Sequence, residues 1–199
     1  MRDRLIEGAI AEFAAHGFEG ASTRAIAEHA DAHSSQINYH FESKEELWRL
    51  ALERLLAEFD STLEHHLECV APDDLQLTFE ATIRGLVELV ARRPELNRIM
   101  IHEATSSSDR LHWLVSAHLE QRHQQLTGIW AELQSRGEAG PIPVELLWHV
   151  LLGSASLLWA NAPEAQLMGI DTDDPALVKA HADALVAMFL PPTPTSPTE

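Results

Sequence analysis

Apolar residues recur at helical spacing along almost the whole chain, and charged or small residues interrupt them at intervals that define the elements. Ile6, Ala9, Ile10, Phe13 and Ala14 make one face of a helix over 3–16 that Asp3 can cap. Gly17 should stop it in a Schellman turn that lays Phe18 on Phe13. Further on, the spacing predicts helices from Ser43 to about Leu67, Leu75 to Arg92, Glu95 to Ala104, Arg110 to Gln134, Val144 to Asn161 and Asp174 to Leu190. Pro72 with Asp73 and Asp74, Pro94, and the 137–143 Gly/Pro linker separate them. No alternating β pattern and no internal repeat interrupts this, so the expected fold is all-α.

The stretch from Ala21 to Leu47 is too short to build a core of its own, yet it holds three helix starts. Ser22 can cap a helix whose apolar side is Ile26, Ala27 and Ala30, and Asp31-Ala32-His33 breaks the period. Ser34 or Ser35 can cap a second helix with Ile37 and Phe41 as its inward i, i+4 pair. Two short helices joined by a three-residue turn read as a helix-turn-helix, a geometry suited to placing one helix in a DNA groove. Ser43-Lys44-Glu45-Glu46 then forms a capping box at the start of the long helix that links this head to the rest.

Charge changes that picture. The 199 residues carry 14 basic and 31 acidic side chains, a net charge of −17, and residues 1–50 alone hold five basic against nine acidic, a net of −4. Such a field repels DNA at long range, so binding must rest on a few placed contacts and on dimerisation, with weak non-specific affinity and steep salt dependence. The single cysteine, Cys69, excludes an intramolecular disulfide and suits a reducing cytoplasm. No signal-peptide pattern is visible, and the longest apolar run, 144–162, is too polar to span a membrane.

Gly17-Phe18, then STRAIAEHA, then INYHFESKEEL resemble the DNA-binding domain of the TetR family of bacterial transcriptional regulators. The resemblance covers roughly the first quarter of the chain; the later helices agree with the family only in number, length and an apolar final pair. It implies a homodimer that binds a double-stranded DNA operator, with the second helix of the motif in the major groove. Residue by residue, it casts Ser34, Ser35, Gln36 and Tyr39 as base readers and places Asn38, His40 and Lys44 near the phosphates. Thr23 and Arg24 fall where the earlier helix meets DNA. Two positions depart from the family pattern: Asp31 stands where the turn usually carries glycine, and His33 where it carries Ser or Asn. Asp tolerates a left-handed backbone better than most residues.

The remaining chemistry points to a cavity. Met100, His102, His118, Trp130, Trp148 and Trp159 supply aromatic walls with a few polar tips, which suits a small organic effector. Each alone also fits a packed core. His65 and Cys69 share a helix face but lack further ligands in the sequence, so no metal site and no cofactor is expected. Walker, GxSxG and HExxH motifs are missing, which argues against an enzyme.

The expected organisation is a helix-turn-helix DNA-binding domain over 1–46, a larger helical effector-binding and dimerisation domain over 47–190, and a disordered tail over 191–199. The expected function is a cytoplasmic, ligand-responsive repressor released from its operator by a small molecule. A constitutive or protein-responsive regulator, a helical enzyme and a metal or redox sensor are the rival readings.

Overall fold

The computed structural model describes residues 1–191, and among them every regular element is helical. Of the expected tail, all but Pro191 lies outside the described residues. In chain order the elements are α1 (Arg2–Gly20), α2 (Thr23–His29), α3 (Ser35–His40), α4 (Lys44–Leu67), α5 (Leu75–Arg92) and α6 (Pro94–Ala104). After them come α7 (Asp109–Leu114), a π-helical turn (Val115–Leu119), α8 (Glu120–Ser135), α9 (Val144–Ala160), α10 (Ala162–Leu167) and α11 (Pro175–Phe189).

Local chemistry accounts for most boundaries. Ser22, Ser43, Asp74, Ser108 and Asp174 each accept a hydrogen bond from a backbone N–H in the first turn of the helix that follows. Asp3 does not cap α1: the N-cap is Met1, and the Asp3 carboxylate instead meets Arg54 of α4 at 3.3 Å. Gly17 kinks α1 without ending it, with φ 66° and ψ 178°, and the rings of Phe13 and Phe18 stack with centroids 6.0 Å apart. The positive φ suits glycine. Ser34 occupies the N-cap position of α3, but its side chain makes no cap bond.

The expected single helix over 110–134 is interrupted by the π turn, and packing explains why. Leu114 is buried with the head, whereas Leu126 is buried in the second core. Twelve residues of unbroken α-helix would turn these side chains about 120° apart, and the extra residue of a π turn reduces that to roughly 20°. One side of the α7–α8 rod thereby serves both cores. No apolar period marks such an insertion, nor does one mark the short α10.

The two cores meet along α4. The first gathers α1 to α4 and is closed by Leu89, Leu96, Ile99 and Leu114, so it crosses position 46. The second is built from α5, α8, α9 and α11 around Phe79, Trp130, Trp159 and Phe189. Phe59 on α4 packs against both. Arg93 of the α5–α6 junction reaches Glu7 of α1 at 2.9 Å, and α6 lies along α1, so the head is held by the body.

Candidate nucleic-acid interface and cavity

The head is built around a short helix presented by a tight turn. At the end of α2 the N–H of Ala32 bonds to the carbonyl of Ala27 and the N–H of Asp31 to that of Glu28, the paired bonds of a Schellman stop. Asp31 has φ 49°, and among the described residues it alone, other than glycines, has positive φ. The turn is therefore the glycine-type turn carried by an aspartate, and Arg4 of α1 supports it by bonding the carbonyls of Ala30 and Asp31. A close approach seats α2: a Cβ on Gly8 would stand 2.7 Å from the carbonyl oxygen of Ile26. The buried carboxylate of Glu12 also accepts from the N–H of Ser22 at 3.1 Å, a favourable charge at a helix N-terminus.

With Ile37 and Phe41 buried, α3 turns the rest of its surface outward. Ser34, Ser35, Asn38 and Tyr39 are exposed, Tyr39 at 83%, while Gln36 and His40 are half-buried. The Tyr39 ring stands edge-on to His40 with centroids 4.9 Å apart. Thr23 and Arg24 are exposed at the start of α2, where Arg24 is engaged with Glu28 at 2.9 Å. Lys44 is half-buried in the first turn of α4, with its Nζ 4.7 Å from the centroid of Phe18. Ser43 accepts from the N–H of Glu46 at 3.0 Å, but the Glu46 carboxylate reaches back to the N–H of Glu42 rather than to that of Ser43.

The head's cations are mostly spoken for. Arg4, Arg24 and Arg49 pair with Asp31, Glu28 and Glu45. Among the described residues, Lys44 and Arg2 are the cations of 1–50 without a carboxylate partner. Arg2 lies 5.5 Å from the Phe41 ring centroid, beside the end of α3. The sequence reading passed over Arg2; its signal was a lone cation at the first turn of α1.

The second feature is a cavity of about 660 Å³ between α4, α5, α6, the π turn, α8 and α9. Its size lies within the range of small-molecule sites. Of the six residues singled out from sequence, Met100, His118 and Trp148 line it. Trp130 and Trp159 lie in the core, their indole N–H groups donating to the carbonyls of Ile142 and Thr172. His102 is exposed and sits beside Gly17 of the head. Sequence reasoning missed Asp60 and Arg122, which meet across the cavity wall with both carboxylate oxygens 2.7 Å from Nη2. A carboxylate interrupting the apolar stripe of α4 was the available signal.

From the cavity wall a run of rings leads to the head. His118 and Trp113 have centroids 4.9 Å apart, and Trp113 meets Trp48 of α4 at 5.8 Å. Trp48 meets Phe18 at 6.4 Å, and Phe18 lies under Lys44 and Arg110. Cys69 is exposed, and His65 pairs with Glu68 at 3.6 Å. Among the described residues no helix is long and apolar enough to cross a membrane.

Comparison with known proteins agrees with this geometry. Residues 5–50 match the family described as bacterial regulatory proteins, tetR family. A probable HTH-type transcriptional regulator of Bacillus subtilis, YttP, is 28% identical over 161 residues, 79% of this chain and 74% of that one. An HTH-type transcriptional repressor of Streptomyces coelicolor, SCO4008, is 34% identical over 100 residues, 50% of this chain and 47% of that one. Among solved structures, AibR in complex with isovaleryl coenzyme A and operator DNA superposes with a TM-score of 0.69 at 19% identity, covering 96% of this chain and 98% of that one.

Proposed function

The chain belongs to the TetR family of bacterial transcriptional regulators, and on that premise we propose that it is a homodimeric repressor that a small molecule in the cavity releases from its operator. Membership makes it a DNA-binding transcriptional regulator; the ligand, the dimer and the residue roles are our reading. The observation that carries it is α4, which starts beside α3 with Lys44 and continues as a wall of the cavity from Leu56 to Leu67. A ligand that shifts that wall moves the reading head, because a helix transmits displacement along its length. AibR, seen with isovaleryl coenzyme A and operator DNA together, offers a precedent in the same fold.

In this reading residues 1–46 form the reading head and 47–190 the effector-binding and dimerisation domain. Ser34, Ser35, Gln36 and Tyr39 read base edges, while Asn38, His40, Lys44, Thr23 and Arg24 hold the flanking strand. Self-association is supported by the outer face of α9, where the exposed residues Leu146, Val150, Gly153 and Leu157 recur at helical spacing. α11 packs beside it with Met188 exposed. A dimer doubles a weak half-site, which this acidic head needs.

The test is selection of duplexes from a random pool by the full chain. Two related half-sites about 34–36 Å apart, or a multiple of that spacing, are expected. Equal affinity for every duplex would overturn the reading. Replacing Trp113 by Ala should leave operator affinity in place and weaken ligand-driven release, since the ring run is cut; the coupling at stake is about 1–3 kcal/mol.

A further inference from the structure

We infer that the cavity takes an uncharged, elongated amphiphile: a hydrocarbon chain with a single hydrogen-bonding end. The inference rests on the cavity's being the effector site and goes on to the chemistry of what enters it. Shape comes first. The α4 wall runs from Leu56 to Leu67, about 16 Å at the rise of an α-helix, so the space is long as well as roomy.

Most of that length is apolar. Phe59 and Leu63 line it from α4, and Leu86, Ile129 and Leu151 from the helices opposite. The hydroxyls of Thr78 and Thr82 also face the space, but each donates to a carbonyl one turn back, Asp74 and Thr78, at 2.8 Å. They offer no free donor, which leaves this part of the wall suited to hydrocarbon.

Charge then decides the class. The charged residues on the wall are Asp60 and Arg122, and they neutralise each other through two 2.7 Å contacts, with the second guanidinium nitrogen held by the carbonyl of His118. A carboxylate in the cavity would face Asp60, and an ammonium would face Arg122. Either would sit beside a like charge whose own counter-charge is already engaged, and would give up water on the apolar side of the space. The net charge of −17 adds a long-range penalty for anions. A neutral polar group meets no such penalty, and the side-chain amides of Gln121 and Gln125, on the wall one turn beyond the π turn, offer it partners. The polar end therefore sits just beyond the π turn.

The experiment titrates the full chain calorimetrically with dodecanol, dodecanoate and dodecyltrimethylammonium, each below its micelle-forming concentration, alongside operator binding in the same samples. Dodecanol should bind at least about tenfold more tightly than either ion. Replacing Asp60 by Asn should improve dodecanoate binding by about tenfold and leave dodecanol within about threefold. Replacing Leu63 by Trp, which fills the space, should abolish dodecanol binding. Equal or tighter binding of either ion, no binding of all three, an unchanged dodecanoate affinity in D60N, or dodecanol binding that survives L63W overturns the ligand class. Dodecanol that binds as expected but leaves the operator complex intact sustains the ligand class and overturns the effector-site reading instead.

Discussion

The head and the body of this protein solve opposite packing problems with the same helices. The head has to fix a six-residue helix in one orientation, and α3 is too short to be stable alone. Its position is therefore over-determined: Ile37 and Phe41 are buried, Arg4 and Glu12 hold the turn and the start of α2, and α6 and α7 close the core from outside. The body leaves about 660 Å³ unfilled between six elements and breaks α7 from α8 with a π turn. The head packs tightly around its short helix, and the body leaves room between its helices. α4 belongs to both, and Phe59 touches both cores.

That contrast can be broken first by core truncation. Phe13 is fully buried in the head, and Phe13→Ala should cost about 3–5 kcal/mol in urea unfolding. Leu63 already borders empty space and is only partly buried, so Leu63→Ala should cost roughly 1 kcal/mol. Equal losses would mean that the cavity wall is as tightly packed as the head.

Next comes the sparse free charge of the head. Lys44→Ala should weaken binding to operator and to random duplex alike, by roughly 1 kcal/mol, and should lower the salt dependence by about one counterion. A change confined to the operator would make Lys44 a base reader. A smaller effect tests the turn. Asp31 holds φ 49° with a side chain fully exposed to solvent, so Asp31→Gly should stabilise the head by up to about 1 kcal/mol in thermal unfolding. A loss of stability would show that the Arg4 contact outweighs the backbone strain.

The smallest effect lies in the body. Hydrogen bonds from Lys179 and then Arg84 hold the Asp183 carboxyl below its ordinary range. Burial pulls the Arg84 guanidinium down, but its bonds to Asp183 and Glu80 outweigh this and the net shift is upward. A depressed carboxyl stabilises the fold above its unfolded pKa and loses that contribution as pH falls through its folded value. Asp183→Asn should accordingly flatten the acid limb of stability against pH, while neutral-pH binding to DNA is unchanged. An identical acid limb would remove the α5–α11 tie from the account.

The sequence alone determined the helical class, most helix starts and the helix-turn-helix of the head. These are local: Ser22, Ser43 and Asp174 cap their helices through bonds within three residues, and Ile37 with Phe41 marks the inward side of α3 by spacing alone. Tertiary structure decided what no local period records. It turned Asp3 from a cap into a partner for Arg54, and it broke the 110–134 helix so that Leu114 and Leu126 could serve two cores. It also sorted six candidate wall residues into three that line the cavity, two that fill the core and one beside Gly17. A tryptophan has the same spacing whether it faces a neighbour or an empty space. Only the arrangement of the other helices distinguishes the two, and the Asp60–Arg122 pair that sets the cavity's charge joins residues 62 positions apart.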